Sequence, residues 1–245
     1  MRRTTVRRAD PRPEVWFASA LAISAVTSCA RSESGGGAGE PAVSTKTAGA
    51  AMLQGVAPRE LNVSSGTIEP IDGERFAVEH PSMRAELGAA SRDAAEIEFV
   101  YRGPSRQAAP LASGELRRQI GLKLRAQDTC NVVYVMWHIE PSVGIEVSVK
   151  SNPGAHTHAE CGDRGYSFLS SAEALASPGA VRPGDRHTLS ASIDGDTLRA
   201  VADGRPVWVG RLPAAASALK GPVGLRSDNG SFEVALRASA PEGGR

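Results

Sequence analysis

The sequence predicts an all-β, antiparallel sandwich behind an exported leader. Three observations carry this: short runs of alternating apolar residues recur from about Leu61 onward, Asp-Gly pairs punctuate them, and no long 3.6-residue period interrupts them. The 245 residues suffice for one good core with appendages. Hydrophobic residues at 41% and charged residues at 22% exclude a multispan membrane protein and a chain disordered throughout.

The first element is an address. Residues 1–14 carry Arg2, Arg3, Arg7, Arg8 and Arg12, followed by the apolar run Val15–Val26 and then Thr27, Ser28 and Cys29. This is the charged, apolar and small-residue order of a secretory signal. Twelve residues reach only about 18 Å as a helix, short of the roughly 30 Å hydrocarbon core, so the run reads as cleaved rather than spanning. The stretch Val26-Thr27-Ser28-Cys29 resembles the bacterial lipoprotein signal. That resemblance implies a signal peptide over 1–28, lipidation of Cys29 and a place on the cell envelope, facing periplasm or exterior. Residues 29–60 then read as a tether, because 30–51 are small, polar and Gly-rich and bury nothing to offset their ordering entropy. About 22 such residues reach roughly 25 Å. The folded module is expected over 61–240, as a monomer.

Charge excludes one class of partner. The chain has 28 basic and 27 acidic residues; without the five arginines, Asp10 and Glu14 of the leader they become 23 and 25. A body so nearly neutral lacks the basic stripe that nucleic acid requires.

Within the module, alternation over 95–101 places Ile97, Phe99 and Tyr101 inward, over 121–127 Leu122, Leu124 and Ala126, over 132–140 Val133, Val135, Trp137 and Ile139, and over 144–150 Ile145, Val147 and Val149. Strands over 187–193, 197–202 and 207–209 are joined at Asp194-Gly195 and Asp203-Gly204, a strong hairpin signal. Two further strands, 223–227 and 232–237, flank an expected turn at Asp228-Asn229-Gly230. Short helical turns are expected over 171–176 and 214–220, and His80, before Pro81, in a loop. No segment supplies the crossover helices of a parallel sheet.

The segments GDRHTLSASIDGDTLRAVADGRPVWVGRLP and GPVGLRSDNGSFEVALRA, with EIEFVYRG and QIGLKLRAQDTCNVVYVMW before them, resemble the concanavalin A-like (laminin G-like) lectin and glucanase sandwiches over roughly 66–238. The resemblance implies a two-sheet jelly roll and relatives ranging from carbohydrate-binding modules through glycoside hydrolases and 3-keto-disaccharide hydrolases to adhesion domains. Fold does not choose among them.

Two cysteines, Cys130 and Cys161, remain in the module, and in an exported domain they most simply pair. The alternative is metal, since His156, His158, Glu160 and Cys161 lie within six residues. A disulfide would consume the best ligand of that set, so neither a metal nor another cofactor is expected. There is no nucleophile elbow, zinc-protease motif or phosphate loop. The strand Glu96-Ile97-Glu98-Phe99-Val100-Tyr101 resembles the acidic strand of sandwich glucanases, but Tyr101 replaces the third acid and removes the proton donor that a retaining mechanism needs.

The candidate site is the sheet face opposite the core. Alternation turns Lys123, Arg125 and Gln127 outward on one strand, Tyr134, Met136 and His138 on the next, and Glu146, Ser148 and Lys150 on a third. Lys123, Arg125, Gln127, Tyr134, His138 and Lys150 are the expected contacts to a polysaccharide or another surface ligand, with Lys and Arg favouring uronates. Aromatic platforms are scarce, because Trp137 points inward. A glycoside hydrolase or polysaccharide lyase is the alternative, with Tyr134 and His138 as its reacting pair or Glu98 and Glu146 as paired carboxylates. A structural module without a glycan ligand is the third reading.

Overall fold

The computed structural model describes residues 52–241. The expected signal peptide, Cys29 and the tether as far as residue 51 lie outside the described residues. In chain order the strands are β1 (Gln54–Gly55), β2 (Leu61–Ser65), β3 (Glu69–Pro70), β4 (Arg75–Leu87), β5 (Ala94–Pro104), β6 (Arg118–Leu124), β7 (Val132–Glu140), β8 (Gly144–Lys150), β9 (Tyr166–Leu169), β10 (Arg186–Asp194), β11 (Thr197–Ala202), β12 (Arg205–Arg211) and β13 (Gly224–Ala238). Short helical turns α1 (His158–Cys161) and α2 (Ala214–Ser217) punctuate them.

All pairings are antiparallel, and they fall into two layers that share the long strands β4 and β13. The first half of β13 pairs with β6, which leads through β7 and β8 to β9; its second half pairs with β5, which leads through β10 and β11 to β12. Ring contacts prove that the layers face each other. Phe99 on β5 meets Trp137 on β7 edge to face at 5.6 Å, and Trp137 lies 5.1 Å from His187 on β10. Neither pair belongs to hydrogen-bonded neighbours, so these contacts cross the core. Ile97, Leu122, Leu124, Val133, Val135 and Leu225 complete it, each fully buried. The result is the expected two-sheet sandwich, nearly closed along the side where β4 and β13 run through both layers.

Local rules explain the hairpins. Asp203 and Gly204 both take positive φ, 48° and 74°, as the tight turn between β11 and β12 requires. Three expectations are corrected. The Asp228-Asn229-Gly230 segment does not reverse the chain: β13 is one bent strand, because Asn229 at φ 56° bonds across to the backbone of Ala109 and Arg117 instead of closing a hairpin. His80 lies in β4 rather than a loop. Pro81, which lacks an N–H, is tolerated there because it faces Asn229 at the one step the β4–β13 register skips. Ahead of Leu61, β1 pairs with Ala238 and Arg237, and Val56 is buried. No helix forms over 171–176, where Ala172 N–H and the Ser171 hydroxyl bond instead to Val209 O.

Candidate functional site

The cleft lies on the outer face of the β4–β13–β6–β7–β8–β9 layer, where the register sets side chains in rows. One row runs Glu86, Gly224, Lys123, Tyr134, Ser148, Phe168; the next runs Arg84, Arg226, Gly121, Met136, Glu146. Ser64 and Ser65, the segment 109–113 and the loop holding His158 and Asp163 wall these rows into a cleft of about 770 Å³. Five Lys or Arg side chains line it against three carboxylates.

Its floor is built around a buried acid. Asp228 accepts from Arg84 Nη2 at 2.8 Å, Arg226 Nε at 2.8 Å and Gln119 Nε2 at 2.7 Å. Burial works to raise its pKa, but the two guanidiniums win and hold it below the usual carboxylate range. Arg84 spends its terminal nitrogens on Asp228, Met83 O and Ser227 O. Arg226 reaches past Gly121, which has no side chain to block it, and lies over the Tyr134 ring at 5.0 Å. Tyr134 in turn stacks on Tyr166 at 6.2 Å. Desolvation pushes the Tyr134 hydroxyl up to about 12.

Two lysines flank this floor. Lys123 touches Glu86, yet loss of water and the neighbouring Arg84, Arg226 and Lys150 lower its pKa to about 7. Lys150 donates to Thr129 O at 3.2 Å and Gly162 O at 2.6 Å and lies over Tyr166. Those carbonyls adjoin Cys130 and Cys161, which form a disulfide. The bridge therefore holds the seat of Lys150, and it takes Cys161 out of the possible metal set. Of the other members of that set, His156 bonds Asp128 and the Glu160 carboxylate accepts from the His156 and Thr157 backbone N–H groups.

The expected site residues separate into two groups. Lys123, Tyr134 and Lys150 line the cleft, and His138 borders it, accepting from Arg117 at 3.0 Å beside Glu146. Arg125 and Gln127 do not line it. Arg125 takes φ 46°, which breaks the alternation just after β6: its side chain turns to Asp93, Ser217 O and Gly195 O, Ala126 packs with Tyr134 and Met136, and Gln127 is exposed.

Neither proposed reacting pair is assembled. Tyr134 and His138 stand four residues apart along one extended strand, about 13 Å, and burial beside Arg117 lowers His138 to about 4, so it is neutral. Glu98 belongs to the other layer, paired with Arg186, while Glu146 is in the cleft on Arg117. Conversely, Arg84, Arg226, Asp228 and Phe168 are site residues that alternation alone did not assemble. Leu225 inward and Arg226 outward is legible; that β13 lies beside β6 is not.

No family model and no curated protein matches the chain. Among solved structures it is similar to the carbohydrate binding module CBM66 from Bacillus subtilis, at 13% identity over 74% of this chain and 96% of that one, TM-score 0.48. It is also similar to LamAcat from Zobellia galactanivorans, at 10% identity over 77% and 94%, TM-score 0.45. A third is the carbohydrate recognition domain of Emp46p, at 11% identity over 74% and 87%, TM-score 0.43. Likenesses this distant transfer neither ligand nor reaction to this chain.

Proposed function

We propose that the chain is an envelope module, lipid-anchored through Cys29, whose sheet-face cleft binds a polysaccharide or another surface ligand without cleaving it. The observation that carries the reading is Phe168, a ring 68% exposed on β9 at the rim of the polar cleft. An exposed aromatic gains little by folding, but it offers a flat apolar surface to the C–H face of a sugar while fixed donors on the floor meet hydroxyls. Binding is favoured over hydrolysis because Asp228 is held ionised and Glu146 is paired with Arg117, which leaves neither poised to protonate a leaving group.

The test is retention of the ectodomain, residues 51–245, on a panel of neutral and anionic polysaccharides, with mass spectrometry of any released fragments. Phe168→Ala should weaken retention about three- to ten-fold, the range of one stacking contact, and leave Tm unchanged. Released oligosaccharides would instead establish an enzyme, and retention indifferent to Phe168 would remove the rim from the site.

A further inference from the structure

Resting on that saccharide-binding reading, we propose that the ligand is an anionic saccharide and that Arg226 receives its carboxylate or sulfate through the two terminal guanidinium nitrogens. Three features of the cleft lead there.

Arg226 is held from behind and below and is open at its end. Its Nε bonds Asp228 at 2.8 Å and its guanidinium carbon lies over the Tyr134 ring, while neither terminal nitrogen has a hydrogen-bond partner among the described residues. Both keep contact with solvent on a side chain otherwise only 13% exposed, so a ligand that enters the cleft can take the place of water at them. The same guanidinium lines the cleft, so its free edge meets whatever enters. Arg84 cannot share this role, since its terminal nitrogens are committed to Asp228 and two carbonyls.

The charge around that edge is unbalanced. Asp228 is one carboxylate between two guanidiniums, so the buried triad carries a net positive charge. Lys150, to one side, bonds only carbonyls, with the Asp163 and Asp128 carboxylates in electrostatic range but not hydrogen-bonded to it. A neutral sugar would leave this charge uncompensated behind it, whereas an oxyanion with two oxygens matches the fork of a guanidinium in shape as well as sign.

The arrangement is also pre-organised. Asp228 fixes the side chain near Nε, the Tyr134 ring supports the guanidinium carbon at 5.0 Å, and Tyr134 is itself stacked on Tyr166. An anion therefore meets a receptor that has already lost its rotamer freedom, which lowers the ordering cost of binding.

The experiment compares the wild-type ectodomain on polygalacturonate, dextran sulfate and uncharged dextran, with Arg226→Lys beside it. The lysine keeps a cation against Asp228 but loses the fork. We expect one of the acidic chains to bind at least about ten-fold more tightly than dextran, with affinity falling as salt rises, and the lysine variant to lose about ten-fold on that chain. Preference for polygalacturonate identifies a carboxylate, and preference for dextran sulfate identifies a sulfate. Equal affinity for dextran, or acidic-chain binding unchanged in Arg226→Lys at an unchanged Tm, overturns the inference and leaves the saccharide reading standing. If the folded wild type retains none of these chains nor any other of the panel above, the saccharide reading itself fails. The charge preference is read on the wild type, so it decides the matter even where the variant does not fold.

Discussion

The two outer faces of the sandwich use the same residue types to opposite ends. On the β5–β10 layer, Glu96 pairs with Arg237, Glu98 with Arg186 and Arg102 with Glu233, all at least partly in water. On the cleft layer, Arg84, Arg226, Asp228 and Lys123 are largely withdrawn from it, and Asp228 is fully buried. Both faces are polar in the sequence and both alternate with the same core. The difference is what covers them: β2, the segment 109–113 and the loop near Asp163 rise around the cleft-layer charges, while the pairs on the β5–β10 layer stay open to water. Enclosure turns surface charge into a site, because a charge that has lost water acts on its neighbours more strongly and costs more to leave unpaired.

The sharpest way to break this comparison is to remove Asp228. Asp228→Ala leaves two guanidiniums facing each other without their shared acceptor and strands the Gln119 amide as well. A loss of about 3–5 kcal/mol is expected for breaking a buried ionic group from one side, measured by urea denaturation. A loss below about 1 kcal/mol would mean that water already reaches these groups, and the contrast between the faces would collapse.

Much of the layer that bears the site was legible in the sequence, and the reasons it was incomplete are particular. Strands β7, β8 and β11 match the expected spans 132–140, 144–150 and 197–202 residue for residue, since a period of two is read directly. Lys123, Tyr134 and Lys150 followed from the same period. Arg125 did not, because a single positive φ inverts a strand's faces and nothing in Leu124-Arg125-Ala126 announces it. Arg84 and Arg226 were invisible as partners for another reason. They come from strands about 140 residues apart, and their adjacency is a fact of sheet order that periodicity does not contain. Phe168 escaped because a four-residue edge strand is too short to display a period.

A subtler difference concerns protons. Lys123 lies between β13 and β7, facing Glu86 and Arg84 from β4, Arg226 from β13, Tyr134 from β7 and Lys150 from β8. Burial and the three cations set its pKa near 7, below the ordinary 10.5, so the unfolded chain binds more protons than the folded one between those values. Stability must therefore rise with pH across about 7 to 10 on account of this residue and be flat below. Tm should climb through that window in the wild type relative to Lys123→Met, which removes the titration. Parallel profiles would show that Glu86 compensates the charge fully, and the cleft would then hold one cation fewer to lose at alkaline pH.

The smallest effect belongs to the open face, and its smallness is the point. Glu98→Gln removes one partner of an ion pair whose Arg186 side chain is 56% exposed. Solvent screens such a pair and its long side chains lose entropy in holding it, so a change within about 0.5 kcal/mol is expected, without effect on saccharide retention. The neighbouring pairs, Glu96 with Arg237 and Arg102 with Glu233, give the layer its polar surface whether or not Glu98 is charged. Should Glu98→Gln instead cost as much as Asp228→Ala, the enclosure of the cleft would not be what separates the faces. Loss of retention in Glu98→Gln with stability intact would move the binding surface to the opposite layer, where its acidic strand would need to be reconsidered as a site.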